Sequence, residues 1–167
     1  LYNNQSCDDV LVCSLNDCPD KKYNSGNLTT VSMNEDLKAD LYLKSDRICG
    51  FDQDILFSEL ESNLLGVHNM YNIAVAYSVC KRFGVDLQSF KEQLKTYVPL
   101  PHRLEFVGEF DGVKYYDDSI STISETTIQA LSSLENVGTL IIGGMDRGIC
   151  YKPLVDFLKT YTLDNIV

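Results

Sequence analysis

The residues best suited to chemistry lie at 115–134, in the stretch YYDDSISTISETTIQALSSL. Two adjacent carboxylates, Asp117 and Asp118, end a short apolar run, and the hydroxyls of Ser119, Ser121, Thr122 and Ser124 follow closely. A second loop, GGMDRG at 143–148, offers glycine backbone and one cation, Arg147. Arg147 set against a carboxylate, with Ser119 or Thr122 as supporting donors, would hold a polar anionic ligand. In a third group, Asn69 and Asn72 stand three residues apart, on one face of a helix start. An amide side chain offers both a donor and an acceptor, as an adenine edge requires. Asn69 serves equally well as a helix N-cap, and His68 beside it reads as structural. A fourth group is Pro101-His102-Arg103, where an arginine at a domain boundary can clamp phosphate bidentately or form an inter-domain ion pair.

The pattern around these residues is that of an α/β protein. Residues 115–134 read as strand, polar turn and helix. Thr122 and Glu125 fit a T-x-x-E capping box, and Ile123, Thr127, Ala130, Leu131 and Leu134 give an apolar face. Upstream, 104–110 and 113–116 flank Asp111-Gly112, a favoured hairpin turn. Downstream come a strand at 139–142, a helix at about 153–160 and a strand from 165. A polar loop after a strand's carboxyl end is where open α/β sheets bind ligands. If the loops at 117–122 and 143–148 follow successive parallel strands, they face one crevice. The earlier part reads as short strands at 9–14, 28–33, 41–43 and 47–51, with a polar loop at 16–25. Two helices follow, at about 69–83 and 87–97. The stripe Ile73, Ala76, Tyr77, Cys80 and Phe83 is expected to be buried on the first of them. Pro99 and Pro101 stop helical structure, making 98–103 the best domain boundary.

Composition narrows the function classes. With 44% hydrophobic and 23% charged residues, a packed core is expected. The net charge of −10 is spread evenly, −5 on each side of residue 100, which argues against nucleic-acid and anionic-membrane binding. No apolar run approaches the roughly 20 residues of a membrane span. The six cysteines include no C-x-x-C pair, which disfavours a zinc site. Reduced thiols in a cytoplasmic setting are the simplest reading. The chain does not begin with Met and is expected to be a piece of something longer.

Four segments in this order, LLGVHNMYN at 64–72, LPHRLEFV at 100–107, YDDSIST at 116–122 and GGMDRG at 143–148, resemble the Mur ligase family. These are the ATP-dependent amino-acid ligases of peptidoglycan synthesis. DVLVCSLN at 9–16 adds to the resemblance, and the D-D-S-x-x-T form is similar to the D-glutamate-adding branch. The resemblance implies the end of a central ATP-binding α/β domain at 1–100. It then implies the first part of a Rossmann-like C-terminal domain with a mostly parallel sheet at 101–167. It places Asn69, Asn72, Arg103 and Asp118 at nucleotide contacts, and Ser119, Thr122 and Arg147 near the amino-acid substrate. ATP, UDP-N-acetylmuramoyl-L-alanine and glutamate are the implied substrates. Mg2+ is the implied metal, with ligands expected outside this segment, and domain closure would assemble the site. No G-x-x-x-x-G-K-[ST] phosphate loop occurs, so this polypeptide alone is not expected to catalyse the reaction. Three positions depart from the family pattern. Ile120 stands where lysine is frequent, Arg147 where lysine is usual, and Cys150 where aspartate is common. The alternatives are an L-glutamate-adding variant, another Mur or folylpolyglutamate synthase-like ligase, or a non-catalytic nucleotide- or partner-binding module.

Overall fold

The computed structural model describes residues 5–18, 27–50 and 53–167. Most of the loop expected at 16–25, and Phe51 at the end of an expected strand, lie outside the described residues. Packing divides the chain into two units. The first is Leu1–Asn63 with Val67–Tyr97, and the second is Leu64–Gly66 with Val98–Val167.

Unit 1 is built on a five-stranded sheet of β1 (Val10–Ser14), β2 (Asn27–Ser32), β3 (Leu41–Lys44), β4 (Arg47–Gly50) and β5 (Ile55–Leu56), in that order. The first three strands run parallel, and β4 and β5 are added antiparallel. Alternation in β3 sends Leu41 and Leu43 into the core, where Leu41 lies beside Val31 of β2 and Leu43 beside Ile48 of β4, itself paired with Ile55 of β5. Helix α1 (Val67–Arg82) buries Ile73, Ala74, Tyr77 and Ser78. The stripe expected from spacing is thus rotated by about one position. Ala76 faces solvent, and Phe83, just past the helix, is 84% exposed. Helix α2 (Leu87–Thr96) is capped by Asp86, whose carboxylate accepts the Ser89 N–H at 2.9 Å. Its Phe90 packs on Tyr77 with ring centroids 5.1 Å apart.

Gly50, at the end of β4, has a φ of +124°, and a Cβ there would lie 2.1 Å from the Asp40 carbonyl oxygen. Backbone strain and a backbone clash coincide. Gly50→Ala is therefore expected to destabilise the fold by at least about 2 kcal/mol, read as a lowered thermal midpoint.

Unit 2 opens with an antiparallel hairpin, β6 (Glu105–Phe110) and β7 (Val113–Asp117). Asp111 and Gly112 both take positive φ, as a tight two-residue turn demands. Then come α3 (Ser124–Ser133), β8 (Thr139–Leu140), α4 (Lys152–Leu158) and β9 (Asn165–Ile166), with β9 parallel to β8. The two helices contribute Leu131 and Leu154 to a small core, and the Tyr161 hydroxyl donates to the Leu131 carbonyl at 2.9 Å.

The α/β class is as expected, but two local readings are not. The N-cap of α3 is Ile123, and no side chain caps it, so the T-x-x-E box at Thr122 does not form. The helix starts later because Ser124, 2% exposed, is drawn inward and donates its hydroxyl to the Cys150 carbonyl at 3.2 Å. Strands β7 and β8 also belong to separate two-stranded sheets. They are not successive strands of one parallel sheet. Among the described residues, no helix is long and apolar enough to cross a membrane.

Candidate functional site

In unit 2 the loop after β7 and the segment before β6 are bonded together. Asp118 accepts the Leu104 backbone N–H at 2.9 Å on one oxygen and the Ser121 hydroxyl on the other. Ile120 N–H donates to the His102 carbonyl at 3.2 Å. His102 Nδ1 meets Asp117 Oδ2 at 2.7 Å, while the His102 N–H donates to Glu105 Oε2 at 2.7 Å. The loop is further shaped from within. Asp117 Oδ1 accepts the Ser119 N–H at 2.9 Å, and the Ser121 N–H donates to the Asp118 carbonyl at 2.9 Å. A short acidic side chain bonding the backbone two residues on is the usual way such turns are held.

These bonds fix an unusual backbone. His102 and Leu104 both have positive φ, +62° and +46°, so Arg103 stands between two left-handed residues. Such a conformation is unfavourable for leucine and persists only when its surroundings enforce it. Arg103 itself is exposed and makes no side-chain hydrogen bond or ion pair among the described residues. Arg147 is likewise exposed and unpaired among the described residues. By contrast, Lys152 and Lys159 of the same unit both bind Asp156. Both arginines of unit 2 therefore leave their guanidinium groups open to an anionic ligand.

The structure joins Arg103, Asp118 and Ser119 through neighbouring backbone. It does not bond Arg147 to them, since the segment at 143–148 is held within itself by Gly148 N–H to Asp146 at 2.9 Å. The region beyond it is bonded to α3 by the Ser124 hydroxyl to the Cys150 carbonyl and by the Tyr161 hydroxyl to the Leu131 carbonyl. Thr122 is exposed at the loop's end, and the Ser119 hydroxyl is turned to Asp117. In unit 1, Asn69 and Asn72 lie within the first turns of α1, and Asn72 Nδ2 donates to Asn69 Oδ1 at 3.2 Å. Asn69 is thus inside the helix and is not its N-cap. Two surface cavities, of about 350 and 300 Å3, are lined by residues 61–63 with Lys95 and by residues around β3–β4. Neither involves these groups.

His102, Glu105 and Asp117 bring three potential metal-ligand atoms within 4.8 Å of one another. Each is already hydrogen-bonded in the cluster, and an imidazole departs from the all-oxygen set that Mg2+ favours. These residues do not fit the Mg2+ that the family resemblance implies.

Charge follows the geometry. The His102 bond, then the Ser119 N–H, hold Asp117 down to about 2, and the same carboxylate raises His102 above its ordinary value. An ionised carboxylate only accepts, so Nδ1 carries the proton in this pair. Because His102 is raised in the fold, its contribution to stability is complete below the unfolded histidine value. It is lost as pH rises through the folded one. Asp117 is lowered, so its contribution is present above the usual carboxylate value and fades as pH falls toward about 2. The pair therefore stabilises most between roughly pH 4 and 6.5. His68 and His102 are the two histidines. Proton NMR titration should resolve both, with His102 titrating above the ordinary value and Asp117→Asn moving it back down.

No family model matches the chain. Strand–loop–helix units and two unpaired guanidinium groups leave the class of protein open, and sequence comparison makes it specific. The chain belongs to the Mur ligase family. It is 36% identical over 120 residues to the UDP-N-acetylmuramoylalanine–D-glutamate ligase of Latilactobacillus sakei subsp. sakei (strain 23K), covering 72% of this chain and 26% of that protein. With the ligase of the same name from Streptococcus sanguinis (strain SK36) it shares 33% identity over 162 residues, 95% of this chain and 36% of that protein. The chain thus spans about a quarter to a third of the length of the curated relatives it matches. A solved UDP-N-acetylmuramoylalanyl-D-glutamyl-2,6-diaminopimelate–D-alanyl-D-alanyl ligase from Acinetobacter baumannii superposes with a TM-score of 0.62 at 16% identity. That likeness covers 85% of this chain and 33% of that one, and it supports the fold alone.

Proposed function

We propose that the full-length protein is an ATP-dependent ligase that adds D-glutamate to UDP-N-acetylmuramoyl-L-alanine. The supporting observation is the identity, over most of the chain, to proteins bearing that activity in their names. On this reading residues 1–100 are the end of a central ATP-binding domain, and 101–167 begin a Rossmann-like ligase domain. The substrate carboxylate attacks the γ-phosphorus of ATP and ADP leaves. The amino group of glutamate then attacks the acyl carbon, and phosphate departs with the bonding pair. Mg2+, held by residues outside this segment, would neutralise phosphate charge.

The residues of this chain bind and orient. Asn69 and Asn72 present amide groups to the adenine. Arg103 offers its fork of donors to phosphate oxygens. Asp118 retains acceptor capacity for the nucleotide, since a carboxylate has about four lone-pair sites and two are filled. Ser119, Thr122 and Arg147 take the amino acid, with Arg147 paired to a carboxylate. Arg147→Ala in the full-length protein is expected to raise the KM for glutamate about tenfold or more and leave that for ATP near its original value. Initial rates with each substrate varied would show it.

Ile120, 38% exposed where the family frequently has lysine, favours a second reading, an L-glutamate-adding variant. Mass spectrometry of the product formed with each enantiomer separates the two. A gain of one glutamyl residue with the D form alone supports the first reading, and with the L form alone the second. No gain with either would remove both.

A further inference from the structure

Resting on the reading of Arg103 as a phosphate ligand, we propose that His102 and Asp117 are positioning residues that hold the Arg103 backbone rigidly on the loop after β7. The nucleotide clamp and the amino-acid loop then form one preassembled body within unit 2. Four observations converge on it. The side chains of His102 and Asp117 bond at 2.7 Å although fifteen residues separate them. The backbone on either side of Arg103 is bonded to the same loop, through His102 carbonyl to Ile120 N–H and Leu104 N–H to Asp118. Both neighbours of Arg103 are left-handed, which requires external support. The Arg103 side chain is unpaired among the described residues, so the fold holds this residue through its backbone alone.

A long side chain on a mobile tether must be ordered when ligand arrives, and that ordering opposes binding. A braced backbone removes part of the cost in advance. Glu105 contributes by accepting the His102 N–H, which would otherwise be exposed on a strained residue. The His102–Asp117 pair touches neither reacting group in this scheme. Its effect is carried through Arg103.

The test uses the full-length protein. His102→Ala and Asp117→Ala are expected to raise the KM for ATP about tenfold, with the KM for glutamate within twofold of the original. His102→Asn, whose amide can donate to Asp117 as Nδ1 does, should recover much of the loss. Values for ATP within twofold of the original in both alanine variants, alongside a large rise in Arg103→Ala, would overturn the proposal while leaving the ligase reading intact. A wild-type protein that releases no phosphate would instead count against the ligase reading. The brace is then read directly by hydrogen exchange. The Leu104 and Ile120 amides should be protected in the original protein and exchange at least tenfold faster in His102→Ala. Unprotected amides in the original would overturn the brace whatever the activity.

Discussion

Arg103→Ala in the full-length protein is expected to raise the KM for ATP by roughly 10- to 100-fold. A hydrogen bond to a charged partner is worth about 1.5–3 kcal/mol, and 1.4 kcal/mol is a factor of ten. The expectation draws on two features together. The guanidinium is unpaired among the described residues, so no internal partner must be given up on binding. Its backbone is held by bonds from Leu104 and His102 to the loop after β7, so the point from which the guanidinium reaches is already placed. Arg103→Lys should restore only part of the loss, because an ammonium supplies the charge without the planar fork. Steady-state kinetics with ATP varied at saturating glutamate would read both variants. An Arg103→Lys protein equal to the original would mean that charge alone matters there.

Asp118→Ala is expected to have the larger consequence, a fall of more than about 100-fold in kcat/KM for ATP together with a lower thermal midpoint. One carboxylate accepts both the Leu104 N–H and the Ser121 hydroxyl. Its removal leaves the N–H of a half-buried, left-handed leucine without its acceptor, and an unsatisfied donor of that kind costs about 1–3 kcal/mol. It also frees Ser121, and with it the turn carrying Ser119 and Thr122. Asp118→Asn keeps one acceptor oxygen and should fall between. Thermal melts recorded beside the kinetics separate the two effects. A normal midpoint with lost activity would assign Asp118 to the nucleotide alone.

What was legible in the sequence divides along physical lines. Asp111-Gly112 between apolar runs announces its hairpin because the turn type is set by two adjacent residues. Helices α1 and α2 are legible from spacing, and Gly84, with φ +80°, marks the end of α1. The face that α1 buries is less so. Ser78 is fully buried and Phe83 exposed, because the hydroxyl of Ser78 is satisfied by the Val75 carbonyl at 2.7 Å and the helix ends before Phe83. Strand β5 has two residues, too few for a period to show.

At the candidate site, Asp117, Asp118 and Arg103 stand out by type, and their bonding does not. The contact of His102 with Asp117 spans fifteen residues and depends on left-handed backbone at His102, which nothing local to a histidine signals. The separation of β7 and β8 into different sheets is equally invisible to periodicity, since parallel and antiparallel partners use the same alternation. The capping box at Thr122 failed for a related reason. Burial of Ser124 against the Cys150 carbonyl, a tertiary contact, outweighed a local motif.

The most direct measurement follows oxygen atoms through the reaction. UDP-N-acetylmuramoyl-L-alanine labelled with 18O in its carboxylate is incubated with full-length protein, ATP and D-glutamate, and the released phosphate is analysed by mass. Activation as an acyl phosphate places one labelled oxygen in inorganic phosphate, and only when both ATP and glutamate are present. Label appearing in AMP would contradict the acyl-phosphate route, and no phosphate formed with glutamate of either hand would contradict the ligase assignment.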